Sequence, residues 1–268
     1  MVWEALLDFL YPPLCLICDR RLGAAERLVC ESCWDRARRE ETAPFYVGPG
    51  GIGGSPGEGL FYARSANRWN DTLGLILHRF KYGGFPSLGE RLARSLLSVV
   101  REDPFLAEAD LVVPVPLTRA RLAERGFNQS LLLARSLSAS SGAPMAERAV
   151  RRVGRSHSQT RLGPEGRRRN VRRAFLPRDP EAVRGAKVLV VDDVITTGST
   201  AYALARVLAG AGARSVSILS VARAGGASSS RRRPSSRSSS APLPPPPSKR
   251  RTFLSITGWF SPPSGWGL

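Results

Sequence analysis

No apolar run in this 268-residue chain approaches the roughly 20 residues needed to cross a bilayer, which leaves no candidate membrane span. The start, "MVWEALLDFLYPPL", lacks the basic flank and the small-residue cleavage site of a signal peptide, and it contains Glu4 and Asp8. Trp3, Leu6, Leu7 and Leu10 fall at helical spacing, so a short amphipathic helix and a cytoplasmic protein are expected. No G-x4-G-K-[ST] string occurs, so a Walker nucleotide site is excluded. Acidic residues are scarce as well: 22 Asp and Glu stand against 40 Lys and Arg, a net charge of +18. Residues 224 to 268 hold none of the acids and seven of the bases, leaving a net +11 on residues 1 to 223. Such a balance fits either phosphate-bearing ligands and nucleic acid or a solvated surface in an arginine-favouring composition.

Cysteine is limited to four residues, all within one short stretch: Cys15, Cys18, Cys30 and Cys33. The pattern is C-x2-C, eleven residues, then C-x2-C. Two such turns can close a tetrahedron of thiolates around Zn²⁺, and four protein ligands leave no open position for catalysis. The alternative is a pair of disulfides, which a cytosolic chain rarely keeps. The expected metal is therefore a structural staple.

Thr42 to Glu58, "TAPFYVGPGGIGGSPGE", is rich in Gly and Pro and reads as a linker. It contains a formal G-x-G-x-x-G at Gly48, Gly50 and Gly53, but Pro-Gly follows where a dinucleotide fingerprint needs a helix. From about Leu60 the pattern is that of an α/β domain. Helices are expected in "NDTLGLILHRFKYGG", with Leu73, Ile76, Leu77 and Phe80 on one face, in "PSLGERLARSLLSVV", in "NQSLLLARSLSAS" and in "STAYALARVLAGAGA". Strands are expected at Leu111 to Val113, in "KVLVV" and in "SVSILSVA". Alternation of this kind implies a parallel sheet covered by helices on both faces. After Arg223 the chain turns to Ser, Arg and Pro runs with no periodic apolar face, so disorder is expected. This tail reads as a basic grip for nucleic acid or membrane, or as a non-native C-terminus such as a shifted reading frame.

The most informative stretch is "VLVVDDVITTGST", Val188 to Thr200. A buried strand ending in Val191 runs straight into Asp192 and Asp193, where bare carboxylates cannot face a core. In parallel sheets ligands bind at the carboxyl ends of strands. Ionised carboxylates only accept hydrogen bonds, which suits the vicinal hydroxyls of a ribose. The segment Thr196, Thr197, Gly198, Ser199 and Thr200 then opens a helix, offering backbone amides and hydroxyls to an anion, with Gly198 letting the ligand approach. A sugar-hydroxyl site beside a phosphate cradle is a ribose 5-phosphate pocket.

"VVDDVITTGST" resembles the phosphoribosyl diphosphate (PRPP) signature of type I phosphoribosyltransferases. Together with "HRFKYGG", "DLVVPVPLTRARLAERGFNQS", "SQTRLGPEGRRRNVRRAF" and the cysteine-rich start, it resembles the ComF family of competence-associated, phosphoribosyltransferase-like proteins. The resemblance covers residues 1 to about 223 and implies an α/β fold, a type I phosphoribosyltransferase-like parallel sheet flanked by helices. The implied division is a zinc ribbon at 1–41, the linker at 42–59, the phosphoribosyltransferase-like domain at 60–223 and the tail at 224–268.

Carried over residue by residue, the resemblance gives Asp192 and Asp193 the ribose hydroxyls and Thr196 to Thr200 the 5-phosphate. It makes the loop after Val113 the diphosphate site, with Arg119, Arg121 and Arg125 as cationic candidates. Gly154 to Asn170 matches the lid, with Gln159, Arg167 and Asn170 as its polar residues, and His157 reads as a solvated loop residue. Lys81 and Tyr82 match a family motif without a role derivable from sequence. The implied reaction displaces diphosphate from the anomeric carbon in favour of an unidentified acceptor, with Mg²⁺ bridging diphosphate and ribose oxygens. The alternative is a non-catalytic ribose-phosphate sensor, or a handler of single-stranded DNA in DNA uptake. Candidate partners are thus PRPP, the acceptor, single-stranded DNA or the uptake machinery, and a second copy in a homodimer.

Overall fold

The structure is a computed structural model that describes residues 12–38, 42–53, 59–153 and 174–224. The chain divides into a unit of residues 1–227 and one of 228–268, and the described residues all belong to the first. The expected N-terminal helix over Trp3 to Leu10, the lid residues His157, Gln159, Arg167 and Asn170, and the tail after Ala224 lie outside the described residues.

A six-stranded sheet organises the unit. In chain order its strands are β1 (Phe45–Gly48), β2 (Gly51–Ile52), β3 (Phe61–Arg68), β4 (Leu111–Pro114), β7 (Lys187–Ile195) and β8 (Ser215–Arg223). Their spatial order is β2-β1-β3-β8-β7-β4. The four strands from β3 to β4 run parallel, whereas β1 and β2 are antiparallel additions at one edge. The sheet is therefore mixed, and the stretch read as a linker carries two of its strands. Phe45 and Val47 explain this: both are buried, one residue apart, on the inward side of β1. The glycines there make the turn between β1 and β2, with Gly51 at φ +114°.

Strand β7 is apolar on both faces because both are covered. Leu189 and Val191 join one core with Leu73 and Phe80 of α2 (Asp71–Tyr82), Leu92 and Leu96 of α3 (Leu88–Glu102), and Leu133 and Leu137 of α6 (Gln129–Ser141). Val188 and Val190 join the other with Leu204 and Leu208 of α7 (Ser199–Gly210). That second core also holds Val150 and Phe175, from a separate hairpin of β5 (Val150–Arg152) and β6 (Phe175–Pro177). Two short helices, α4 (Pro104–Ala107) and α5 (Arg119–Arg125), flank β4.

The cysteine-rich segment is packed into the first of these cores. Trp34 and Ala37 of α1 (Glu31–Ala37) are buried in one cluster with Leu73 and Leu92, and Arg91 of α3 stacks on Trp34 and pairs with Glu31. A boundary at residue 41 thus crosses a continuous core.

Strand lengths prepare the ligand end. β8 pairs with β7 as far as Ile195, whereas β4 ends at Pro114 opposite Val191. The Val115 amide still donates to the Val191 carbonyl at 3.0 Å, and Pro116 brings no amide to continue the ladder. Asp192 and Asp193 therefore lie in β7 but beyond the last residue of β4. β8 still accompanies them on one side, with Asp192 opposite Ser220, while the β4 side has no partner.

Candidate functional site

Asp192 and Asp193 point to different partners. The Asp192 Oδ1 accepts from the Ser130 hydroxyl at 3.0 Å and from the Asp193 amide at 2.9 Å. Asp193, a buried residue, receives the Lys81 ammonium on its Oδ2 at 2.6 Å. Lys81 belongs to the last turn of α2 and Ser130 to the first turn of α6, so two helices from the same core reach the strand end. Desolvation and the adjacent Asp193 charge push the Asp192 carboxyl up to about 7, against the lowering effect of the Asp193 amide, Ser130 and Lys81.

The phosphate loop follows directly. Thr196 and Thr197 are exposed, and Ser199 and Thr200 are half-buried. Thr197 and Ser199 share a hydrogen bond at 2.9 Å. Gly198, at φ +78°, occupies the cap position of the 12-residue helix α7 and offers no side chain to its amides. That leaves the helix start available to an anion. Gly198 also meets β1 and β2: a Cβ there would come within 2.9 Å of Val47 and 3.3 Å of Ile52. A Cβ on Gly51 would lie 2.8 Å from the Thr197 carbonyl. The two edge strands thus brace the loop from behind, which the linker reading concealed.

Beside the loop after β4 lies an open groove of about 1230 Å³. Arg119, Arg135, Arg148, Arg151, Arg152 and Arg178 line it, against a single acid, Glu147, among the described residues. Burial, helped by the charge of Arg121, lowers the affinity of Arg152 for its proton, while Asp192 raises it. Arg152, which lines the groove and lies over the Phe175 ring at 5.3 Å, was singled out by no motif in the sequence. Of the three arginines expected at a diphosphate, Arg119 lines the groove and Arg121 lies within electrostatic reach of Arg152. Arg125 is already engaged: it stacks on Tyr82, donates to its hydroxyl at 2.7 Å and donates to Gln129 at 2.8 Å.

The four cysteines form a separate centre. All are free thiols, and their sulfurs lie within 4.8 Å of one another. Cys15 and Cys33 are 3.9 Å apart and Cys18 and Cys30 are 3.7 Å apart. A tetrahedron with Zn–S bonds of about 2.3 Å has edges near 3.8 Å, so zinc fits. Arg36 donates to the Cys33 sulfur at 2.9 Å, the cationic neighbour that a cluster of thiolates calls for. At Cys30 burial opposes ionisation, but donors led by the Arg20 side chain outweigh it and bring the thiol down to about 6. Leu28, a bulky side chain at φ +62°, is held in a strained turn of this segment. The aspartate pair suits Mg²⁺ less well. Lys81 holds one Asp193 oxygen, and Ser130 and the Asp193 amide hold one Asp192 oxygen, so the pair offers fewer oxygens to a hard cation than two open carboxylates would.

Comparison with known proteins matches two domain families. The phosphoribosyl transferase domain family matches residues 83–240, and the double zinc ribbon domain family matches residues 6–45. With four cysteines, this chain has ligands for one such zinc site. DNA utilization protein YhgH of Salmonella typhi is 32% identical over 223 residues, 79% of this chain and 97% of that protein. Competence protein F of Haemophilus influenzae is 33% identical over 58% of this chain and 69% of its own length. Competence protein ComFC of Bacillus subtilis is 29% identical over 60% of this chain and 64% of its own. Among solved structures, a Bacillus subtilis glutamine PRPP amidotransferase overlaps 61% of this chain and 34% of its own. Its identity is 19% and its TM-score 0.39.

Two measurements follow. Zinc should copurify at about one per chain. Because Trp34 ties the ribbon to the α2–α3 core, Cys30→Ser or metal removal should lower the thermal midpoint of the whole unit. A metal-free chain with two intact disulfides, or an unchanged midpoint without zinc, would contradict this. The second concerns pH. An Asp192 that stays protonated up to about 7 when folded, but ionises near 4 when unfolded, holds the extra proton in the native state. Its contribution to stability is therefore greatest at low pH and is lost as pH rises to about 7. Asp192→Asn should then stabilise the ligand-free protein at about pH 8 relative to wild type, with the advantage vanishing near pH 4. Urea midpoints showing the opposite trend would refute the assignment.

Proposed function

The chain belongs to the ComF family of phosphoribosyl transferase-domain proteins with an N-terminal zinc ribbon, and on that premise we propose that it binds PRPP and transfers the ribose phosphate to an acceptor with release of diphosphate. One observation carries the reading: two carboxylates at a strand end stand beside a helix start whose cap residue is a glycine and which is furnished with four hydroxyls. Asp192 and Asp193 accept from the ribose 2- and 3-hydroxyls. The amides at the start of α7, with Thr196, Thr197, Ser199 and Thr200, hold the 5-phosphate. The loop after β4, with Arg119 and Arg121, faces the diphosphate, and Arg152 is placed to add a third guanidinium. In the reaction the bond from the anomeric carbon to the diphosphate oxygen breaks with its electron pair leaving on diphosphate. The bond to the acceptor forms at the same carbon, and the acceptor's proton goes to solvent or a basic group. Mg²⁺, when bound by the diphosphate, would neutralise the charge that develops on this leaving group.

The arginine-lined groove favours a second reading, in which the domain keeps the pocket as a sensor and handles single-stranded DNA for uptake or utilisation. The names of the relatives from Salmonella, Haemophilus and Bacillus support that biological setting. Among the described residues no helix is long and apolar enough to cross a membrane. Diphosphate release from PRPP across a panel of acceptors separates the two readings.

For the pocket itself, calorimetry is the direct test. Each carboxylate replaced, as Asp192→Asn or Asp193→Asn, should weaken PRPP binding by roughly 10- to 100-fold, the worth of a hydrogen bond to a charged group. Unchanged affinity in a folded double variant would overturn the assignment.

A further inference from the structure

The ion pair between Lys81 and Asp193 is not explained by core packing. It lies at the ligand end of β7, beyond the last residue of β4, with its Nζ 2.6 Å from the Asp193 Oδ2 and both side chains mostly buried. The lysine comes from a distant part of the chain, the last turn of α2. A cation at a helix C-terminus is favoured by the helix dipole, so the position suits a fixed positive charge. Two adjacent carboxylates repel each other and an incoming anion, a repulsion that a nearby cation offsets. Here protein donors already occupy two of the four carboxylate oxygens, and the one cation among them, Lys81, sits on Asp193.

We propose that Lys81 is the resident cation of the ribose site, a positioning residue that orients Asp193 and supplies the positive charge, so that a ribose 5-phosphate binds without a divalent metal. The inference rests on the ribose-phosphate reading and deepens it. The geometry is consistent: the ammonium sits 2.6 Å from the Asp193 Oδ2 and so offsets negative charge at the strand end without an added ion. An ammonium has three donors and spends one on Asp193, leaving others for ligand oxygens. On this account a metal serves the diphosphate and not the ribose, and a probe lacking diphosphate will reveal the difference.

The probe is ribose 5-phosphate, titrated calorimetrically into the full-length, zinc-loaded chain, with Mg²⁺ and in buffer stripped of divalent ions. No chelator is used, since it would remove the ribbon zinc. Wild type should bind equally in both buffers. Lys81→Met, which keeps the stem and removes the charge, should lose roughly 10- to 100-fold in metal-free buffer and recover when Mg²⁺ is added. Lys81→Arg should bind without metal. A purely structural lysine would not alter the dependence on Mg²⁺. Binding by wild type that requires Mg²⁺, or metal-free binding by Lys81→Met as tight as wild type, overturns the proposal and leaves the ribose-phosphate reading intact. Should Lys81→Met fail to fold, the wild-type comparison decides alone. Absence of ribose 5-phosphate binding by wild type in either buffer rejects the ribose-phosphate reading and this proposal with it.

Discussion

The pairing of β7 with two neighbours of unequal reach underlies everything at the ligand end. β8 accompanies β7 to Ile195, and β4 stops at Pro114, opposite Val191. Had β4 continued, Asp192 and Asp193 would have been flanked by strands on both sides of β7, and two acids in a sheet interior would have carried a heavy desolvation cost. Proline ends the strand because it has no amide to donate. The opening so created admits Ser130 from α6 and Lys81 from α2, and sets the aspartates next to the start of α7. Sheet register, helix placement and candidate chemistry therefore share one cause.

How much of this could be read from the sequence depends on the range of the interaction involved. The run from Val188 to Thr200 was legible because strand, carboxylates and helix start are contiguous, and each residue type has a local reason for its place. The helix over Asp71–Tyr82 was legible for the same reason, since Leu73, Ile76, Leu77 and Phe80 repeat at helical spacing and are all buried. By contrast β3 carried no clear signal. Its inward side includes Ser65 and Asn67, which are satisfied only through β8, by the Ser220 hydroxyl at 2.6 Å and the Val221 carbonyl at 3.1 Å. The edge strands β1 and β2 were masked by their glycines, which turn the chain and let it approach the phosphate loop closely. Lys81 could be matched to a motif, but its partner is remote in sequence and appears only when α2 packs on the sheet. Arg125 shows the reverse error of scale: a guanidinium near a basic loop looks free in sequence, yet it is held by Tyr82 and Gln129.

Charge in the unit is partitioned by distance from the sheet end. Immediately at the strand tip, two acids stand with one lysine. Farther out, along the groove after β4, arginines dominate with Glu147 as the one acid among its described lining residues. A ligand with a sugar at one end and phosphates at the other would meet hydrogen-bond acceptors where its hydroxyls lie and positive charge where its phosphates lie. The zinc ribbon sits in the same core as α2, α3 and α6, with Trp34 buried beside Leu73 and Leu92, and so helps to hold the helices that deliver Lys81 and Ser130.

The central claim is spatial, and one measurement addresses it directly: a crystal structure of the zinc-loaded chain with ribose 5-phosphate. The account predicts the sugar hydroxyls on Asp192 and Asp193, with the phosphate against the amides of Gly198 to Thr200. A ligand lodged among the arginines of the groove, with the strand tip and the phosphate loop unengaged, would contradict it.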